Sequence, residues 1–281
     1  MADWEAKLYS PRVSTRRQSV FSFEGLASGG RSLIDGALGL LYPRNCVGCE
    51  TVLDSGGRRW FCEPCERKLH RIEPPYCSIC GQHYEGHLPE GIRCANCSDL
   101  DLAFDFAIGA YRNEGLARDL VHQFKYERQH HLCAPLGRLL LDTFEDSRLA
   151  RNRENGDWVV VPVPLHPKRL RERQFNQAAE LSRVFRRAAR EQEIVAEIIP
   201  GLRRTRYTRR QASLDRTGRL TNLRGAFSLS RNPRVRARIE DASILLVDDV
   251  LTTGATANEC ARVLRQEGGA AKIVVITVVR G

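Results

Sequence analysis

Two groups of residues in this sequence have the types and spacing to do chemistry. The first is a set of thiols. Eight of the ten cysteines form four Cys-x-x-Cys pairs: Cys46/Cys49, Cys62/Cys65, Cys77/Cys80 and Cys94/Cys97. One pair can form a knuckle that presents two thiolates, and two knuckles complete a tetrahedral Zn2+ site with no position open for substrate. Twelve residues separate the first two pairs and thirteen the second two. These gaps are a little under the ~15–20 of the commonest ribbon spacing, so tight hairpins are expected. Two structural zincs follow. Sequential pairing is the simpler arrangement. An interleaved one, with Cys46/Cys49 sharing a metal with Cys77/Cys80, stays open at this point, as does an iron–sulfur cluster. The two remaining thiols, Cys133 and Cys260, fall on predicted helix faces and read as core residues.

The second group lies in Ile244-Leu-Leu-Val-Asp-Asp-Val-Leu-Thr-Thr-Gly-Ala-Thr256. A buried strand is expected to end at Asp248 and Asp249, the place where open α/β sheets bind ligands. Adjacent carboxylates suit the vicinal hydroxyls of a sugar, which are paired donors. Thr252, Thr253, Gly254, Ala255 and Thr256 then make a short loop that runs into a helix. Gly254 permits the tight backbone path. Loop N–H groups, the helix N-terminus and threonine hydroxyls together form an anion cradle. A diol site beside a phosphate site describes a ribose 5-phosphate. Upstream, Val159-Val-Val-Pro-Val-Pro164 ends in a proline-stiffened loop that delivers Lys168, Arg169 and Arg171, a placement that suits a diphosphate. Between these pieces, residues 203–222 carry many charges and little period, with Arg209, Arg210 and Gln211 near the middle. Long charged loops in compact domains are often mobile lids.

Strand and helix signals alternate behind these residues. Phe104, Phe106, Ile108 and Ala110 alternate as on a half-buried strand. Helical stripes follow at Leu116, Leu120, Val121 and Phe124, and at Leu132, Leu136, Leu139, Leu140 and Phe144. Trp158–Val163 is a continuous apolar run, typical of a strand covered on both faces. Ala178, Leu181, Phe185 and Ala188 stripe the next helix. Ile244–Val247 and Ile273–Val279 are further buried strands, with the helix of Ala257, Cys260, Ala261 and Leu264 between them. Such alternation implies an α/β fold with a mainly parallel sheet flanked by helices. Three parts are expected: an N-terminal arm and amphipathic segment (1–45), a double zinc ribbon (46–98) and the α/β domain (99–281).

The bulk properties agree with a soluble metal- and anion-binding protein. The 281 residues carry 44 Lys and Arg against 34 Asp and Glu, a formal charge of +10. Fifteen of the basic residues, but only six acids, lie between Lys168 and Arg219. That clustering favours polyanions such as pyrophosphate, phosphosugars or nucleic acid. The longest apolar runs fall well short of the ~18–20 residues that cross a bilayer. Met1–Phe21 shows no apolar secretory core. With the thiols read as metal ligands, a cytoplasmic place and no membrane insertion are expected.

The Asp248–Thr256 segment resembles the signature of the type I phosphoribosyltransferases. That resemblance implies phosphoribosyl pyrophosphate, held with Mg2+. Asp248 and Asp249 would meet the ribose hydroxyls, Thr252–Thr256 would wrap the 5-phosphate, and Lys168, Arg169 and Arg171 would sit in the pyrophosphate loop. The wider ensemble is paired cysteine ribbons, Gly109-Ala-Tyr-Arg112, Phe124-Lys-Tyr126, Val161-Pro-Val-Pro164, Phe175-Asn-Gln177, Thr208-x-x-Gln211, Asn222 and Gly225-Ala-Phe227. It resembles the ComF family of bacterial competence proteins. Gln174 departs from the pattern, standing where glycine is expected before Phe175. The family resemblance implies DNA uptake in natural transformation, with single-stranded DNA and competence-machinery proteins as partners. Three classes are open: a DNA-handling protein that binds the phosphosugar, a phosphoribosyltransferase with an unnamed acceptor, and a sensor without chemistry. Aromatics near the basic cluster are few (Phe175, Phe185, Tyr207), so no stacking platform is evident.

Overall fold

A computed structural model describes residues 44–53, 60–86, 91–98, 102–127, 129–150, 158–208 and 223–281. The expected amphipathic segment Leu33–Tyr42 and the residues Arg209, Arg210 and Gln211 lie outside the described residues. The chain divides into two compact units between Arg67 and Lys68. That boundary lies inside the segment 46–98, so the two cysteine sets belong to different units.

The first unit contains the short helix α1 (Glu63–Glu66), started by Pro64 in its first turn, and a bridge between Asn45 and Val52. The second unit contains everything else. Helix α2 is Ala95–Ser98, strand β1 is Phe106–Arg112, α3 is Gly115–Tyr126 and α4 is Cys133–Leu139. Helix α5 (Ser147–Ala150) precedes β2 (Trp158–Pro162), α6 (Pro167–Arg173) and α7 (Gln177–Arg190). Strands β3 (Ala196–Ile198), β4 (Leu202–Arg204) and β5 (Phe227–Leu229) lead to α8 (Pro233–Ala237). Strand β6 (Ser243–Leu251), α9 (Ala255–Gln266) and β7 (Lys272–Arg280) complete the chain. Five strands form one parallel sheet in the order β1-β7-β6-β2-β3, and β4 and β5 form a separate antiparallel pair.

The central strands β2, β6 and β7 are the most β-branched and apolar, as burial on both faces demands. Helix α7 begins where the Asn176 side chain accepts the Ala179 N–H at 3.4 Å, and its stripe of Ala178, Leu181, Phe185 and Ala188 is buried. Three expectations are corrected. Strand β1 is buried from Ala107 through Tyr111 rather than alternating, because α3 and a 3-10 run at Leu140–Glu145 both pack on it. The helix expected through Phe144 tightens into that 3-10 run after Leu139. Strand β6 does not stop at the two aspartates but pairs with β7 as far as Leu251 and Arg280.

The open edge of β1 is covered by residues 70–79. The Ile72 N–H donates to the Ala110 carbonyl at 3.1 Å, Arg112 N–H to His70 at 2.9 Å, and Ala107 N–H to Ile79 at 2.7 Å. An unpaired edge would otherwise invite another chain. The Arg148 guanidinium holds the same segment, donating to the Ser78 carbonyl at 2.7 Å while lying 4.8 Å from the Tyr76 and Phe106 rings. The segment continues into the second cysteine set.

Candidate functional site

Both cysteine sets gather as fours, and in sequence order. Cys46, Cys49, Cys62 and Cys65 bring their sulfurs within 4.8 Å of one another, and so do Cys77, Cys80, Cys94 and Cys97. The sulfurs of Cys49 and Cys62 are 3.5 Å apart and those of Cys80 and Cys94 3.7 Å. Tetrahedral thiolates at ~2.3 Å from zinc stand about 3.8 Å apart, so the donor sets fit. Backbone N–H groups point at the lead sulfurs: Gly48 and Cys62 at Cys46, and Cys80 and Cys94 at Cys77. These are two structural tetra-cysteine sites. The interleaved pairing is not formed.

The residues expected to bind an anion lie at the carboxyl ends of β6 and β2. Strand alternation sends consecutive side chains to opposite faces. Asp249 is buried, and the Lys125 ammonium of α3, also buried, lies 2.8 Å from its carboxylate. Asp248 accepts the Asp249 N–H at 2.9 Å and feels the charge of Arg204 from β4. Burial, then the neighbouring Asp249 charge, pushes Asp248 up to about 7, against the pull of Lys125. The two carboxylates are therefore poised differently, one paired and one near its titration point at neutral pH.

Beyond Leu251 the chain turns through Thr252 and Thr253 to Gly254, whose φ of 78° is left-handed and favours glycine. Helix α9 starts at Ala255, with the Ala255 N–H 3.4 Å from the Thr253 hydroxyl. Arg280, buried at the end of β7, reaches under this turn and donates to the carbonyls of Thr252 at 2.8 Å and Leu251 at 3.2 Å. Cys260, fully buried on α9, is a core thiol as expected.

Lys168, Arg169 and Arg171 lie on the helix α6, not on a loop. Pro167 suits its first turn and the His166 ring caps it, accepting the Lys168 N–H at 3.2 Å. Burial, then Arg204 and the α6 cations, hold His166 below its usual value, so it is neutral and able to accept. Gln174, which stands where the family pattern has glycine, ends the helix at φ 69°, a left-handed conformation that favours glycine. Tyr207 gathers the cations: Lys168 Nζ lies 4.9 Å and the Arg169 guanidinium 6.0 Å from its ring. Arg169 donates to the Thr208 carbonyl at 3.4 Å and Arg204 to the Thr208 hydroxyl at 2.6 Å. The Arg204 Nε is buried with no hydrogen-bond partner among the described residues. The charged stretch is anchored where it is described, with Thr205 N–H on Ala226 and Gly225 N–H on Glu259.

An aromatic patch stands beside Lys125. Tyr126 is half exposed, with the His122 ring at 4.7 Å and the Arg173 guanidinium at 5.4 Å. Phe175 meets Phe124 at 5.2 Å and His130 at 4.9 Å. Of these aromatic residues Tyr126 is exposed, whereas Phe124 is fully buried.

The double zinc ribbon domain family matches residues 37–98. Competence protein F of Haemophilus influenzae is 32% identical over 234 residues, which is 79% of this chain and 91% of that protein. The chain belongs to the ComF family. The DNA utilization protein YhgH of Escherichia coli is 30% identical across 83% of this ComF-family chain and 95% of its own length. Competence protein ComFC of Bacillus subtilis is 26% identical across 78% and 83%. A solved hypoxanthine phosphoribosyltransferase of Staphylococcus aureus covers 54% of this chain and 63% of its own at 14% identity, with a TM-score of 0.26, too slight a likeness to argue from. Among the described residues no helix is long and apolar enough to cross a membrane. Three residues of the site had no role assigned from sequence: Lys125, Arg204 and Arg280. Lys125 sits inside the noted Phe124-Lys-Tyr126 and Arg204 inside the basic run, whereas nothing local marks Arg280.

Proposed function

We propose that this protein binds phosphoribosyl pyrophosphate with Mg2+ at the carboxyl ends of β6 and β2, and that it does so in the cytoplasm while handling single-stranded DNA during uptake. The observation that carries the reading is one strand, β6, feeding two aspartates and then the turn into α9, next to the cation cluster of α6 and β4. Asp248 and Asp249 take the ribose hydroxyls, the 252–256 turn takes the 5-phosphate, and Lys168, Arg169 and Arg171 face the diphosphate. Mg2+ is held mostly by ligand oxygens and water. Arg209, Arg210 and Gln211 belong to the covering stretch. Relatives named for competence and DNA utilization support the DNA side, and Tyr126 with Arg173 suits base stacking beside a phosphate-binding surface. Thiol metal sites support the cytoplasmic place.

A second reading, pentosyl transfer to a base or amine, is favoured by the buried Arg204 Nε, which has no partner among the described residues and is a donor suited to charge growing on departing pyrophosphate. Calorimetric titration of Mg2+–phosphoribosyl pyrophosphate into zinc-replete protein tests the binding, with and without a short single-stranded oligonucleotide. Saturable binding that disappears in Asp249→Asn is expected. Oligonucleotide affinity should fall by about 1–3 kcal/mol in Tyr126→Ala. No heat at millimolar ligand would sink the phosphosugar reading, and product formation from candidate acceptors would decide for transfer.

A further inference from the structure

The second cysteine site and the phosphate turn share one side chain. Arg280 Nε donates to the Cys80 carbonyl at 2.7 Å and Nη2 lies 3.2 Å from the Cys80 sulfur. From the same guanidinium, Nη1 donates to the carbonyls of Thr252 and Leu251, and also to that of Gly281. Arg280 is buried, and its stem fits only because β1 carries glycine opposite. A Cβ on Gly109 would stand 2.5 Å from the Cβ of Arg280. The Gly109 of the noted Gly-Ala-Tyr-Arg run thus makes room for this arginine.

The consequence for the turn follows from peptide geometry. In a trans peptide the C=O and the next N–H point opposite ways. Arg280 draws the Leu251 and Thr252 carbonyls inward, so the N–H groups of Thr252 and Thr253 are turned outward as donors. The other end of the guanidinium is fixed only while Cys80 is fixed. A metal-bound thiolate with a second-shell donor is such an anchor.

We propose that Arg280 is a positioning residue that couples zinc at Cys77, Cys80, Cys94 and Cys97 to the anion-binding form of the 252–256 turn. It holds the turn through its backbone and acts on the ligand only through it. The ligand side of this inference rests on the phosphosugar reading above, and the coupling itself does not. Lysine cannot replace the fork, since one ammonium cannot span two carbonyls and a sulfur.

The test uses the full zinc-loaded chain and Arg280→Lys. Hydrogen exchange of the amides at 252–256 should quicken by about tenfold in the variant, and a chelator should strip the second-site zinc faster by a similar factor. Ribose 5-phosphate with Mg2+ should weaken about tenfold, while pyrophosphate with Mg2+ shifts less than about twofold. A general loss of fold would move both ligands together. Should Arg280→Lys fail to fold, zinc is withdrawn stepwise from the wild type, and the turn's exchange must rise with loss of the second zinc. Unchanged exchange at 252–256 in the variant, or in second-site-depleted wild type, overturns the coupling. Absence of ribose 5-phosphate binding by the wild type would defeat the functional reading, and the exchange result alone would then decide the coupling.

Discussion

The two cysteine sites share a spacing and differ in everything around it. In the first, Cys49 is exposed and Cys62 half-buried, and among the described residues the hydrogen bonds to its sulfurs come from residues 48–62. In the second, all four sulfurs are buried, Cys80 is held by Arg280, and the preceding residues 70–79 run along the edge of β1. One motif thus serves in one place as the centre of a small separate unit and in the other as part of the α/β core. Spacing predicts the metal, whereas burial and second-shell partners decide what loss of the metal does.

The largest expected effect breaks the symmetry directly. Structural zinc contributes about 10–16 kcal/mol in small domains, as much as the whole stability of a typical protein. In the 68–281 unit, which has a large hydrophobic core besides the zinc, Cys77→Ser should lower the thermal transition by about 10 °C or more without abolishing it. Cys49→Ser should leave that transition within about 2 °C of wild type, since 1 kcal/mol moves a unit of this size by about 2–4 °C. Calorimetry with zinc counting by mass spectrometry reads both. Equal loss in the two variants would mean that the sites are not distinct.

A similar contrast separates Asp249, whose carboxylate is buried against the Lys125 ammonium, from Asp248, whose carboxylate accepts the Asp249 N–H. Removing Lys125 would leave Asp249 buried and unpaired, at a cost of about 3–5 kcal/mol. Lys125→Met should show this in urea unfolding, and adding Asp249→Asn should recover much of it. No recovery would mean that packing of the lysine stem, not its charge, matters.

Much of this contrast was invisible in the sequence, for identifiable reasons. The cysteine fours, the buried runs of β2, β6 and β7, and the Asp248–Thr256 turn are legible because each is written within one short contiguous stretch, the longest being the 21 residues from Cys77 to Cys97. The apolar run of the sequence ends at Asp248 and Asp249, and aspartate is a poor strand former, yet pairing with β7 carries β6 through to Leu251. The expected pyrophosphate loop is helix α6, because Pro167 and the His166 cap start it and Lys168–Arg173 are good helix formers. Lys125–Asp249 and Arg280–Cys80 join residues far apart in the chain, so no local pattern could announce them.

The third effect is a pH dependence. A carboxyl raised to about 7 contributes stability that is complete below its unfolded value near 4 and is lost as pH rises through about 7. Sugar hydroxyls donate to the ionised form and favour it, so ligand binding should release a proton. Affinity for ribose 5-phosphate should then rise about tenfold between about pH 6 and about pH 8, beyond the change seen in Asp248→Asn, which removes this titration but keeps that of the phosphate. The free Asp248→Asn protein should gain stability over wild type at the alkaline end. Parallel profiles for the two proteins would place the titration elsewhere.

The smallest effects compare two left-handed positions in the same site. Gly254 has a φ of 78° and Gln174 one of 69°. A Cβ at Gly254 would meet nothing closer than 4.0 Å, so an alanine there suffers from its backbone conformation alone. That conformation costs an ordinary residue roughly 1–2 kcal/mol. Gly254→Ala should therefore destabilise by about 1 kcal/mol and Gln174→Gly should stabilise by a similar or smaller amount, since glycine also loosens the unfolded chain. Denaturant midpoints at unchanged slope would read both. If Gln174→Gly destabilises instead, the glutamine side chain makes a contact that outweighs its backbone, and its place in this ComF-family chain is then a gain at the end of α6 rather than a tolerated departure.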